Sequence, residues 1–152
     1  MQFKTSRLLV SNLSLLVVLQ LISSCAREVE RTGQGVNWLV SFDEALEIAK
    51  KKDQPIMIDF YADWCGWCKR LDNDTYIDDD VVSKAEAFVS LKIDADAERC
   101  LSSRYRIAGL PTILFIDQMG REIHRVVGYR SARSFVVEMD RALAVFHGKA
   151  GT

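Results

Sequence analysis

Apolar positions recur along this chain with two periods, and each change of period marks an element. From Asp43 to Lys52, Ala45, Leu46, Ile48 and Ala49 fall at helical spacing, with Ser41 or Asp43 placed to cap the first turn. Lys50, Lys51 and Lys52 form a basic last turn, and Pro55 blocks continuation. Ile56 to Ala62 is a nearly continuous apolar run, as in a strand buried on both faces. A helix is predicted from Cys65 to Thr75, and a short one from Asp79 or Asp80 with an aspartate cap. Phe88 to Ile93 reads as the next strand, and Cys100 to Tyr105 as a helix with Leu101 and Tyr105 on one face. Thr112 to Asp117 is a third strand, turned at Gln118 to Arg121 into a hairpin partner from Glu122 to Val127. Ser131 to Phe146 closes the chain as an amphipathic helix, with Phe135, Val136, Met139, Leu143 and Phe146 inward. The order implies an α/β layered fold with a mixed central sheet.

The first residues follow a different logic. Lys4 and Arg7 precede a mostly apolar stretch, Leu8 to Ile22, broken by Ser11, Asn12, Ser14 and Gln20. That is short for a spanning helix and has the build of an export signal. Ile22-Ser23-Ser24-Cys25 resembles the bacterial lipobox, in which the cysteine is lipidated and becomes the new N-terminus. An ordinary cleaved signal and an uncleaved anchor are the alternatives. Residues 1–24 are thus expected to be a lipoprotein signal peptide, and residues 25–35 the lipidated Cys25 with a polar tether. Residues 36–152 would be the domain. Such a protein would be held by its lipid at a membrane of the bacterial envelope, on the periplasmic side.

Charge adds little. Lys and Arg number 20 against 21 Asp and Glu, a net charge of −1, so no basic field argues for nucleic acid. The four cysteines, Cys25, Cys65, Cys68 and Cys100, are too few for a disulfide scaffold. Cys100 reads as a small apolar helix residue without a catalytic task. The acidic stretch from Asp72 to Asp80 lacks the glycine and terminal glutamate of a calcium loop and reads as a solvated connection with a helix cap.

Cys65 and Cys68 carry the chemistry. A Cys-x-x-Cys pair can hold zinc, form a permanent staple or exchange electrons. Zinc wants four ligands, and the chain has no second such pair and only His124 and His147. Directly after a buried strand and at a helix start, the pair is a redox signal. There the helix N-terminus would favour the Cys65 thiolate, while Cys68, a turn deeper, would be more shielded.

The run Ile58-Asp59-Phe60-Tyr61-Ala62-Asp63-Trp64-Cys65-Gly66-Trp67-Cys68-Lys69 resembles the strand, active site and helix start of the thioredoxin-like family. Gly109-Leu110-Pro111-Thr112 resembles its cis-proline loop, and Gly128-Tyr129 its late glycine turn. The likeness is nearest to the C-terminal domain of DsbD-type thiol:disulfide interchange reductases and related exported proteins. It implies a thioredoxin-like fold and assigns roles. Cys65 would be the nucleophile, Cys68 the resolving thiol, Asp59 a buried acid that accepts the proton of Cys68, and Pro111 the cis-proline facing the sulfurs. Leu110 would offer backbone groups to a substrate strand, Trp64 would pack beside the site, and Trp67 would either face substrate or pack on the domain. The family's lysine near the buried acid falls on Ser90 here, with Lys92 two residues on and able to share that face. The pair between the cysteines is Gly66-Trp67, where thioredoxin has Gly-Pro.

The expected function is therefore an extracytoplasmic, lipid-anchored reductase of protein disulfides, with the cysteine pair as redox centre and neither bound cofactor nor metal. Its substrates could include c-type apocytochromes, and its electrons would come from a membrane donor of DsbD or CcdA type. The alternatives are an oxidase or isomerase, or a non-catalytic binding or chaperone-like module.

Overall fold

The computed structural model describes residues 35–150, so Cys25, the signal segment and most of the tether lie outside the described residues. The domain opens with helix α1, Phe42–Lys52, capped by Ser41, whose hydroxyl accepts from the Glu44 N–H. Strand β1, Ile56–Tyr61, follows. Helix α2, Gly66–Arg70, runs on into a π-helical turn, Leu71–Thr75. Asp78 then caps α3, Asp79–Ala85, through the N–H groups of Asp80 and Val81. Strand β2, Val89–Asp94, helix α4, Arg99–Arg104, and the hairpin β3, Thr112–Ile116, and β4, Glu122–Val127, lead to α5, Ala132–Ala150.

The sheet order is β2-β1-β3-β4, with β1 parallel to β2 and the other neighbours antiparallel. Because side chains alternate along a strand, β1 serves two cores. Ile56, Ile58 and Phe60 pack with Val89, Leu91, Ile93, Leu114 and Ile116 beneath α1 and beside Tyr105. Met57 packs on the other face with Ile113, Phe115, Leu71, Tyr76 and the α5 residues Phe135 and Met139. Each large side chain buried this way contributes roughly 1.5–3 kcal/mol. Double burial explains why β1 and β3 read as unbroken apolar runs. It also leaves Asp59, on the Met57 face, inside the protein.

The hairpin turn is fixed at its far end. The Asp117 carboxylate accepts from the N–H groups of Met119 and Arg121, both at 2.9 Å, and Gly120 takes φ 77°. At the near end the N–H of Gly128, at φ 82°, donates to the Pro111 carbonyl at 2.8 Å.

The predicted helix from Cys65 to Thr75 is one continuous segment, but its second half is wound as a π turn, which periodicity does not reveal. Thr75 ends that turn fully buried, and its hydroxyl donates to the Arg130 carbonyl at 2.7 Å. Thr75→Val should lower stability by about 1–3 kcal/mol, since it leaves that carbonyl unpaired. A drop in the urea midpoint with unchanged slope would show it, and an unmoved midpoint would mean the bond contributes nothing.

Candidate active site

The site lies where β1 hands over to α2. Cys65 is the N-cap of α2, and its sulfur accepts from the Cys68 N–H at 3.1 Å. Cys65 and Cys68 form a disulfide with their Cα atoms 5.3 Å apart. Both sulfurs are largely covered, Cys65 at 4% exposure and Cys68 at 1%. They cluster with Ala62, with Tyr61 and Leu110 packed alongside. The same Cys68 N–H is positioned to stabilise a Cys65 thiolate once the bond opens, because a free helix-start N–H prefers a negative acceptor. The Leu110–Pro111 bond is cis, and Leu110 meets the cysteine cluster from the opposing loop.

The tryptophans differ. Trp67 is 56% exposed, lies 5.7 Å from the Tyr129 ring, and shares the Arg70 guanidinium with it. It thus packs on the domain and still presents a face to solvent. Trp64 is 71% exposed, and its indole N–H donates to Asp96 at 2.8 Å. It is tethered to the β2–α4 connection.

Asp59 stands in β1, before the cysteine loop, with no exposed surface. Its strand partners are Lys92 on β2 and Ile113 on β3. The Lys92 ammonium is 3.8 Å from its carboxylate. That ammonium makes its closer contact with Asp72, from the π turn. It also sits over the rings of Trp38, Tyr61 and Tyr76 at 5.7, 5.0 and 5.8 Å. Neither Asp59 oxygen has a protein partner at hydrogen-bonding distance, and nor does the Tyr76 hydroxyl. Burial pushes Asp59 from the usual 3.8 up to about 7. Lys92 pulls against that shift, Asp72 adds to it, and Tyr76 opposes it without closing to a hydrogen bond. A carboxyl that holds its proton to neutrality can take up and release one under ordinary conditions.

The surroundings of Asp59 differ in part from the sequence reading. Ser90, the aligned lysine position, is buried opposite Met57, and Lys92 fills the lysine's place from the next residue on that face. Asp72 belongs to the site, although it reads as part of a solvated acidic stretch. It lies four residues after Cys68 and so on the same helical face, which was the available signal. Cys100 is exposed on α4. Tyr76 and Trp38 carried no signal, because the π turn shifts the register that would have located Tyr76. Among the described residues, no cluster of three or more His, Cys, Asp or Glu could hold a metal ion.

The thioredoxin-like domain family matches residues 42–143. The thiol:disulfide interchange protein DsbD of Ralstonia nicotianae is 35% identical over 124 residues, 78% of this chain and 20% of that protein. DsbD of Yersinia pestis is 36% identical over 104 residues, 64% of this chain and 18% of its own length. The chain thus spans about a fifth of the length of these relatives. Among solved structures, a thioredoxin from Thermus thermophilus superposes with TM-score 0.66 at 28% identity, covering 78% of this chain and 94% of its own. The C-terminal domain of Neisseria meningitidis DsbD shares the fold, with TM-score 0.60 at 24% identity over 70% of this chain and 99% of that domain.

Asp59 gives a test of this electrostatics. The folded protein holds the proton to about pH 7 and an unfolded chain only to 3.8. The stability from neutral Asp59 is full below the lower value and is lost as pH rises through the higher one. Asp59→Asn should therefore be more stable than the parent at pH 8, by roughly 2–4 kcal/mol, with the advantage gone at pH 4. Urea denaturation at both values reads this, and a pH-independent difference would show that Asp59 titrates normally.

Proposed function

The chain belongs to the thioredoxin-like domain family, and from that premise we propose that it is a thiol:disulfide oxidoreductase that reduces protein disulfides. One observation carries the reading: a Cys65–Cys68 bond closes at the start of the helix that follows the strand burying Asp59, a carboxyl poised near neutrality. In the dithiol form, the Cys65 thiolate attacks a substrate disulfide. A mixed disulfide forms at Cys65, and the first substrate sulfur leaves with the electron pair and gains a proton. Cys68 gives its proton to Asp59 and attacks Cys65. The Cys65–Cys68 bond closes, and the second substrate sulfur leaves and is protonated. Two electrons pass from dithiol to substrate, and no bound cofactor or metal is required.

Leu110 and cis-Pro111 would receive an extended substrate segment, and the exposed Trp64 and Trp67 would offer it apolar faces. The likeness to DsbD supports an extracytoplasmic location and a membrane electron donor of DsbD or CcdA type. Lipid attachment at Cys25 would hold the domain beside that donor. Extracytoplasmic protein disulfides, those of c-type apocytochromes among them, are the proposed substrates.

The deciding measurement is the equilibrium potential of the pair in a dithiothreitol or glutathione series, with free thiols alkylated and assigned by mass. A value near thioredoxin's, roughly −270 mV, is expected, whereas one near −120 mV would make the protein an oxidase. Cys68→Ser should trap substrate on Cys65, and Cys65→Ser should abolish exchange. Function surviving both substitutions would point to a binding module.

A further inference from the structure

Two buried side chains beside the Lys92 ammonium lack a protein partner at hydrogen-bonding distance: the Asp59 carboxyl, 3.8 Å from it, and the Tyr76 hydroxyl, whose ring centroid is 5.8 Å from it. Each acts on the titration of the other. A phenylalanine at position 76 would fill the same core without burying an unpaired hydroxyl. The hydroxyl therefore calls for an explanation beyond packing.

The ring has little freedom to turn away. Trp38 meets it edge-on at 4.9 Å and Phe135 at 5.7 Å. Its backbone is tied on both sides, since the Tyr76 N–H donates to the Leu71 carbonyl at 2.9 Å and the Tyr76 carbonyl accepts from Val36 at 3.0 Å. Burial drives the phenol well above its ordinary range, so it keeps its proton wherever Asp59 titrates. A phenol that stays protonated is a donor to a carboxylate and gives a neutral carboxyl much less.

Other groups divide the control of Asp59. Lys92 from β2 favours its charge, and Asp72 from the π turn opposes it and also holds the Lys92 ammonium. From α2, Cys68 supplies the proton under the function proposed above. Lys92 is shared between two carboxylates, so Tyr76 is the neighbour whose donor is free for Asp59 alone.

We infer that Tyr76 is a positioning residue of the dithiol chemistry, whose hydroxyl closes onto the Asp59 carboxylate once that group ionises and keeps it ready to receive the proton of Cys68. This rests on the redox reading above. When the dithiol closes, the Cys68 proton passes to Asp59, and the Cys68 thiolate attacks the Cys65 sulfur. The Cys65–Cys68 bond forms, the Cys65–substrate bond breaks, and the departing sulfur carries off the electron pair and gains a proton from water. Asp59 then returns its proton to solvent, and Tyr76 again has an anion to donate to.

Tyr76→Phe removes one oxygen from the buried ring and tests this. In the purified oxidised protein, the Asp59 carboxyl carbon is followed by NMR as a function of pH. The midpoint should rise above the parent's, as it should in Lys92→Met, the positive control. Release of substrate thiol from a mixed disulfide at Cys65 should slow at neutral pH and recover at higher pH, with the whole profile shifted in the same direction. A lower melting temperature with unmoved titration and unmoved profile would reduce Tyr76 to packing and overturn the inference, as would a midpoint that falls. If the parent protein releases no substrate thiol, the redox function fails, and the titration still decides whether Tyr76 serves Asp59.

Discussion

The rest of this site depends on one burial: a carboxyl placed in a strand that is covered on both faces. β1 needs apolar residues toward α1 and toward α5, and at position 59 it carries an acid instead. Desolvation of that acid supplies the proton affinity. Lys92, directly across the parallel register, keeps the cost bounded. The disulfide follows on the same stretch of chain, where β1 gives way to α2. The two-sided core of β1 and the burial of Asp59 are consequences of the same alternation.

The π turn has a matching role on the helix side. Helices gain a widened turn at some cost, and such turns recur near functional positions. Here the widened turn brings Asp72 to Lys92 and sets Tyr76 against Trp38 and Phe135. Thr75, bonded to the Arg130 carbonyl, fastens the turn to the segment after β4. The environment of Asp59 is therefore assembled from β2, the π turn and the chain before α1. Its balance of one cation, one further acid and one phenol is a tertiary property.

That explains what the sequence could and could not reveal. The strands β1 and β3 were legible because double burial writes an apolar run, and the first cap because Ser41 or Asp43 precedes helical spacing. Cys65, Cys68, Asp59 and Pro111 were legible through two separated motifs in the right order. Lys92 was half legible, since strand period 2 put it on the face of Ser90 but not in contact with Asp59. Asp72 was misread because a run of acids normally faces water. Tyr76 was invisible, as a π turn leaves no periodic trace.

The hairpin turn at Asp117–Gly120 stands at the opposite end of β3 from Pro111. Five strand residues separate them, on the order of 15 Å of fully hydrogen-bonded backbone. The turn is closed by its own aspartate, and Met119 at its tip is exposed. The molecule therefore has a working end and a handle. A dye, affinity tag or surface linker attached at the tip would stand a strand's length from the disulfide loop, so the domain could be immobilised in one orientation without covering that loop.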